Sequence, residues 1–175
     1  MISTLKEYPN GGKIDVYDLV DQTTDDFDRI RKCCEYFAKQ GKYVLITPSF
    51  TGDVLKNPNY HLIYASLMGT PYWGKCPDFL VNGIWYEHEG YDTKKDLSDW
   101  QTRADTFCKM MTRGVRQSER IIVEDCGATL RFIRRNIYNR IHCENQNIKE
   151  VYMRVEAGLK MLYFYNEQTR EVYSI

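Results

Sequence analysis

The sequence contains no apolar run long enough to cross a membrane, since stretches such as 44–46 and 79–81 are only a few residues long. Its first residues also lack the basic segment followed by an apolar region that forms a secretory signal. We therefore expect a cytoplasmic protein with no membrane partner.

The sequence also lacks the short motifs of several large enzyme classes. It has no G-x-x-x-x-G-K-[ST], G-x-G-x-x-G, G-x-S-x-G or H-E-x-x-H segment. These absences count against P-loop nucleotide hydrolysis, Rossmann cofactors, α/β-hydrolase chemistry and zincin chemistry. The 24 basic and 24 acidic residues cancel, which argues against a protein built to coat DNA or an acidic membrane.

Cysteine and histidine do not occur at the spacing of metal ligands. The six cysteines form no C-x-x-C pair, and two of them, Cys33 and Cys34, are adjacent. The three histidines show no paired spacing, so the usual ligand pattern of a zinc site is missing. In a reducing cytoplasm such cysteines are expected to be buried free thiols.

The 175 residues do contain alternating strand and helix patterns, in a chain long enough for a sizeable core. Asn10-Gly11-Gly12 lies between two short strand patterns and predicts an N-terminal hairpin. Apolar residues at helical spacing predict a helix that Thr23 or Thr24 caps and that ends before Gly41, and further long helices over 97–113 and over 128–143. Further strand patterns occur at 43–46, 77–81, 84–87, 120–124, 149–155 and 160–165. The sum is an α/β (α+β) fold with a central mixed sheet flanked by about three helices, in one domain over 1–175.

Two boundary residues can be predicted from general rules for helix ends. Asn59 is expected to cap a short helix over 60–67, because an asparagine side chain can accept hydrogen bonds from the first free amides. Gly114 is expected to end the helix over 97–113 as its C′ residue, because glycine tolerates the left-handed backbone there.

Acidic residues are concentrated at a predicted hairpin around the Asn82-Gly83 turn. Counting back from this turn pairs Val81 with Ile84 and therefore Asp78 with Glu87. The period of two places Glu87 and Glu89 on one face of the second strand and His88 on the other. Three carboxylates so close together would bind a divalent cation or raise one another's pKa, and a hydrolytic site can use either effect. Alternatively, acidic residues at a strand edge only prevent aggregation.

Charge is distributed unevenly along the chain. Residues 1–30 contain three basic and seven acidic residues, whereas residues 100–142 contain nine basic and four acidic residues. Arg131, Arg134 and Arg135 fall on one helical face, opposite the apolar stripe, and arginine suits the geometry of phosphate. Such a face can hold a nucleic-acid backbone, or it can simply be solvated.

Four segments together resemble a known family. They are Gly11-Gly12-Lys13-Ile14, the stretch from Phe37 to Ile46, Pro77-Asp78-Phe79-Leu80-Val81-Asn82-Gly83, and Gln117 to Val123. Over roughly 5–165 the chain looks like the C-terminal nuclease domains of bacterial contact-dependent growth inhibition toxins, and like related domains of phages and conjugative elements. The resemblance implies an RNA-cleaving, often tRNA-cleaving, domain built on a sheet.

One segment departs from that family. The family's hairpin continues to Glu-x-Lys, whereas this chain has Glu87-His88-Glu89. A carboxylate at position 89 cannot stabilise negative charge on a phosphate as a lysine does. Three outcomes stay open: a different metal-dependent arrangement, a lysine or arginine recruited from elsewhere, or loss of activity.

The first hypothesis from the sequence is a metal-dependent endonuclease of a mobile genetic element that acts on RNA (tRNA-like) or DNA, with RNA as the favoured substrate. Its expected catalytic residues are Asp78, Glu87, Glu89, His88 and Gln117, and its expected substrate-binding residues are Arg113, Arg116, Arg131 and Arg134. Mg²⁺ is the expected metal, held by Asp78, Glu87 and Glu89. The alternative is an inactive nuclease-like fold that binds or regulates a partner, such as an immunity-type protein or a second copy. A structural domain of unrelated ancestry is the third hypothesis.

Overall fold

The computed structural model describes residues 1–166 and 171–174, with side chains described through residue 165. Strands and helices alternate along this part of the chain. The strands are β1 (Ile2–Glu7), β2 (Lys13–Tyr17), β3 (Tyr43–Ile46), β4 (Phe79–Val81), β5 (Ile84–Glu89), β6 (Arg120–Glu124), β7 (Glu150–Val155), β8 (Gly158–Asn166) and β9 (Glu171–Ser174). The helices are α1 (Asp25–Ala38), α2 (Pro58–Ile63), α3 (Trp100–Gly114) and α4 (Leu130–His142). The predicted α/β class is confirmed.

Residues 1–86 and 116–118 form one compact unit with the strand order β1-β2-β3-β4-β5. β1 and β2 are antiparallel and form the predicted N-terminal hairpin, whereas β2 and β3 are parallel and α1 connects them. The hydroxyl of Thr24 accepts a hydrogen bond from the Phe27 amide and caps α1, as predicted. The ring of Phe37 on α1 lies 6.3 Å from that of Phe79 on β4, so α1 packs on the sheet of this unit.

Residues 87–115 and 119–175 form a second compact unit. The end of β5 pairs in parallel with β6, and β6 pairs in parallel with β7. β8 and β9 continue the order by antiparallel pairing. Residues of α3, α4, β6 and β7 share its core, among them Phe107, Met110, Ile121, Ile133 and Val151. Parallel and antiparallel pairs with packed helices confirm the predicted mixed sheet, while the single domain over 1–175 stays a prediction.

The short helix begins earlier than predicted. The side chain of Asn57, not that of Asn59, caps α2 by accepting a hydrogen bond from the Asn59 amide. Pro58 occupies the first helical position, where its missing N–H costs nothing. The prediction at Asn59 was wrong because the preference of proline for the first turn moves the start of the helix back.

Apolar helices and cysteines are two further features on which the structure gives information. No helix in the described part of the chain combines the length and apolar character that a membrane crossing requires. All six cysteines are free thiols, as predicted, but only three are buried, and Cys143 is exposed. Burial raises the pKa of the Cys34 thiol well above its usual range, which keeps it protonated and inert.

The turn of the N-terminal hairpin lies directly against the end of α1. The side-chain amide of Asn10 donates to the carbonyl oxygen of Lys39 at 2.8 Å. A Cβ added at Gly12 would lie 1.8 Å from the carbonyl oxygen of Ala38. Only glycine therefore fits at position 12 without moving backbone.

We expect Gly12→Ala to lower the free energy of unfolding by at least about 2 kcal/mol, because backbone must shift to admit the new methyl group. Urea unfolding monitored by circular dichroism measures this. Gly11→Ala is the matched control, because no atom lies within 4 Å of a Cβ added there. Only the φ of +86° at Gly11 disfavours alanine, which lowers the free energy of unfolding by about 1 kcal/mol. Equal losses in the two variants would contradict the close contact.

Candidate functional site

The hairpin that positions the acidic residues has the predicted turn. Asn82 and Gly83 have φ values of 48° and 81°, the left-handed backbone that a type I′ turn requires. Val81 pairs with Ile84, and Phe79 pairs with Tyr86, as the count from the turn predicts. The register of β5, and with it the direction of each side chain along the strand, is therefore fixed by the Asn-Gly pair.

Glu87 and Glu89 lie on one face of β5 in the second unit. In the parallel ladder they pair with Ile121 and Val123, two core residues that contact α3 and α4. Glu87 is buried, and the side chain of Glu89 is 12% exposed. The predicted pair of carboxylates therefore lies on the helix-covered face of the sheet, with Glu89 nearer the solvent.

Arg113, at the end of α3, provides a cation to this face. Its Nε donates to Oε2 of Glu89 at 2.7 Å, and its Nη2 donates to the carbonyl oxygen of Gly90 at 2.6 Å. Half of the Arg113 side chain stays exposed. Arg113 was predicted to bind the substrate, and the structure pairs it directly with a predicted catalytic carboxylate.

Gly114 allows α3 to approach β5 and β6 closely. It is the last helical residue, followed by Val115 as the C-cap, so its prediction as C′ was wrong. A Cβ at Gly114 would lie 2.6 Å from Cγ2 of Ile121 and 3.4 Å from Cγ of Glu89. The glycine therefore serves packing rather than a turn, and it brings the end of α3 within reach of Glu89.

His88 lies on the opposite face of β5, as strand alternation predicts, in a cluster that sequence analysis missed. Its Nε2 donates to Oε1 of Glu124 at 2.7 Å, and Nε of Arg154 donates to the same oxygen at 2.6 Å. The His88 side chain is 1% exposed. Burial opposes the charge of Glu124, but the hydrogen bonds from His88 and Arg154 outweigh it and hold the pKa of this carboxyl below its ordinary value.

Asp78 belongs to the first unit, just before β4. Its carbonyl oxygen accepts a hydrogen bond from the Thr47 amide at 2.9 Å. Asp78 also lines a cavity of about 260 Å³ at the carboxyl ends of the parallel strands β2 and β3. The other polar residues around this cavity are Asp21, Thr24, Asp26, Thr47 and Ser49. Ligands of α/β folds commonly bind at such strand ends. The sequence pattern did not predict this cavity.

Gln117 and Arg116 lie in the short segment of residues 116–118, which joins the first unit. Oε1 of Gln117 is buried and has no hydrogen-bond partner among the described residues. Arg116 is exposed, and within the described chain it forms no ion pair. Their predicted roles at the site stay predictions.

Arg131 and Arg134 are both exposed on α4 but face different cavities. Arg131 lines a cavity of about 280 Å³ together with Trp100 and Arg135. Arg134 lines a second cavity of about 110 Å³ together with Tyr138. Of the predicted site residues in the second unit, the structure thus joins Glu89 and Arg113 and separates the two arginines of α4.

Metal binding has no ready ligand set in the described chain. Among residues 1–166 and 171–174, no group of three or more His, Cys, Asp or Glu side chains is placed to hold a metal ion. The Mg²⁺ site at Asp78, Glu87 and Glu89 therefore stays a prediction from the sequence, and no chemical step below goes through a metal.

Comparison with known proteins gives one distant structural likeness. No protein-family model matches the sequence, and no curated protein matches it. A solved structure described as a CdiA-CT/CdiI toxin and immunity complex from Burkholderia pseudomallei is similar with a TM-score of 0.40 and 16% sequence identity. The likeness covers 82% of this chain and 92% of that one. At this TM-score the likeness is a distant resemblance in fold.

Proposed function

We propose that the chain is an RNA-cleaving domain in which Glu89 is the general base and Arg113 binds the phosphate. The observation that supports this is the contact of 2.7 Å between Nε of Arg113 and Oε2 of Glu89, made by a guanidinium that stays half exposed. A carboxylate beside an accessible guanidinium supplies the two functions that phosphodiester cleavage within RNA needs: a proton acceptor and a bidentate phosphate ligand.

In the proposed reaction the carboxylate of Glu89 takes the proton of a ribose 2′-hydroxyl. The 2′-oxygen attacks the adjacent phosphorus, the bond from phosphorus to the 5′-oxygen breaks, and the leaving oxygen takes a proton from water. The hydroxide so formed takes the proton that Glu89 holds, which restores the carboxylate. The products are a 2′,3′-cyclic phosphate and a 5′-hydroxyl. Arg113 donates hydrogen bonds to the non-bridging oxygens, on which negative charge grows in the transition state.

This reaction accounts for a carboxylate where the resembling family has a lysine. Arg113 is the arginine recruited from elsewhere, and it brings positive charge to the face where a lysine at position 89 would have brought it. Glu87, one pleat earlier on the same face, places a second carboxyl group beside the pair. The reaction needs a 2′-hydroxyl, so the proposal favours RNA over DNA as substrate.

The test is incubation of purified protein with total tRNA and with plasmid DNA, each with Mg²⁺, with Mn²⁺ and with EDTA. We expect RNA to be cleaved in all three conditions, with cyclic phosphate ends, and DNA to stay intact. Cleavage that EDTA abolishes would contradict the proposal and favour the metal-dependent hypothesis with Asp78, Glu87 and Glu89.

A second candidate function is binding of a partner without cleavage. It is favoured by the same ion pair, because Glu89 and Arg113 already satisfy each other, and by the lack of a three-ligand metal group in the described residues. The partner would be RNA, an immunity-type protein or a second copy of the chain. Folded protein that binds RNA and leaves it intact in every condition would favour this candidate.

Origin in a mobile genetic element stays a prediction.

A further inference from the structure

A cavity of about 280 Å³ lies between the first turns of α3 and α4, within the second unit. Its lining combines two aromatic side chains with three arginines. The residues around it are Trp100, Arg103, Ala104, Ala128, Thr129, Arg131, Phe132 and Arg135. No acidic residue in the described part of the chain lines the cavity, so its chemistry suits an anionic ligand.

The three arginines differ in how firmly they are held. Nη1 of Arg103 donates to the carbonyl oxygens of Leu97 and Ser98, both at 2.8 Å, which fixes this guanidinium at the wall. Arg131 and Arg135 are exposed, and neither forms an ion pair or side-chain hydrogen bond within the described chain. Their donors are free to bind phosphate oxygens without first breaking a protein contact.

Arg131 and Arg135 are four residues apart and therefore lie on the same side of α4, one turn apart. The first turn of α4 contains no acidic residue to compete for them. The partial positive charge at the beginning of the helix adds to theirs. Two arginines one turn apart on a helix can both donate hydrogen bonds to one phosphate group.

Trp100 supplies a different kind of contact. It is the first residue of α3 and is 66% exposed, although an indole loses favourable burial in that position. An aromatic face beside cationic side chains is the combination with which proteins bind single-stranded nucleic acid, because every base can stack on it. In a duplex the bases are paired and stacked on one another, so none is available to stack on Trp100.

We infer that this cavity binds one unpaired nucleotide of a single strand, with its base on Trp100 and its phosphate between Arg131 and Arg135. The assignment of the strand to RNA rests on the proposed function. Trp100 and Arg113 lie at opposite ends of α3, about 20 Å apart at 1.5 Å per residue. A strand that reaches both sites therefore spans several nucleotides, and the cavity holds it at a distance from the cleaved bond.

The test measures binding of fluorescent single strands of about 12 nucleotides, a length that one such domain covers. The probe is 2′-O-methyl RNA, which the proposed reaction cannot cleave, and DNA of the same sequence runs in parallel. We expect R131A/R135A to raise Kd at least about tenfold and to flatten its salt dependence, and W100A to raise Kd about fivefold or more.

Lys109→Ala is the matched control, because Lys109 is an exposed cation on α3, the helix of Trp100, but does not line this cavity. Its Kd should stay within about twofold of the parent value, and duplex RNA should bind more weakly than the single strand. Unchanged binding by R131A/R135A, or equal losses in K109A, would overturn the inference. DNA that binds as tightly as RNA would keep the nucleotide site and remove its assignment to RNA.

Failure of this site and failure of the proposed function give different results. Full cleavage of RNA with unchanged binding in R131A/R135A removes the nucleotide site and keeps the proposed function. Weakened binding in R131A/R135A, together with no cleavage by the parent protein, keeps the site and removes the proposed function.

Discussion

Glutamine in place of Glu89 is expected to lower the rate of RNA cleavage about 10²–10⁴-fold, the contribution of a positioned general base. The amide of glutamine has the shape of the carboxylate but cannot accept the proton of the 2′-hydroxyl. Glu89→Asp keeps the carboxylate and should retain part of the rate. Arg113→Ala should lower the rate about 10²–10³-fold, because it removes the donor to the growing charge on the phosphate. Single-turnover cleavage of a labelled RNA measures all three.

Controls on α3 separate these effects from a loss of folding. Asp105 and Lys109 are exposed on the same helix as Arg113, so Asp105→Asn and Lys109→Ala should cleave at the parent rate. Circular dichroism of each variant shows whether it is folded. Parent-like cleavage by folded Glu89→Gln would remove Glu89 as the base, and a rate lost only in Glu87→Gln would transfer that role to Glu87.

The fold could be predicted to the extent that local rules determine it. Thr24 caps α1, and the Asn82-Gly83 pair forms the predicted turn, because both effects act within a few residues. Position 114 shows the limit of such rules. Glycine at position 114 on α3 allows close contact with Ile121 on β6. Rules for helix ends consider only neighbouring residues, so they cannot predict a contact with a distant strand.

In the candidate site, too, local rules predict some features and tertiary packing determines the others. Glu87 and Glu89 share a face because side chains alternate along a strand, and this much is visible in the sequence. The pairing of Glu89 with Arg113 depends on how α3 packs, and the two residues are 24 positions apart. The hydrogen bonds of Glu124 with His88 and Arg154 join three separate strands. A parallel register is set by tertiary packing, so no spacing in the sequence indicates that cluster.

Glu124→Gln is expected to lower the free energy of unfolding by about 3 kcal/mol at neutral pH, since it leaves buried donors facing an amide in place of a charge. Both His88 and Arg154 donate to one oxygen of Glu124, and the His88 side chain is almost fully buried. Urea unfolding of the parent and the variant measures the difference. Glu144→Gln is the control: Glu144 is exposed in the same unit, and its replacement should change stability by less than about 0.5 kcal/mol.

The same difference should shrink in acid, and its direction follows from the pKa of Glu124. Hydrogen bonds from His88 and Arg154 hold this pKa below the ordinary value of 4.5 despite burial. A carboxyl with a lowered pKa in the folded state stabilises the fold fully above its ordinary pKa, and the stabilisation is lost as pH falls through the folded value. The difference between parent and Glu124→Gln should therefore stay constant above about pH 4.5 and shrink below it, as the pH falls through the folded pKa and Glu124 becomes neutral. If the difference in the free energy of unfolding stays constant into acid, Glu124 stabilises the fold through its shape and not through its charge.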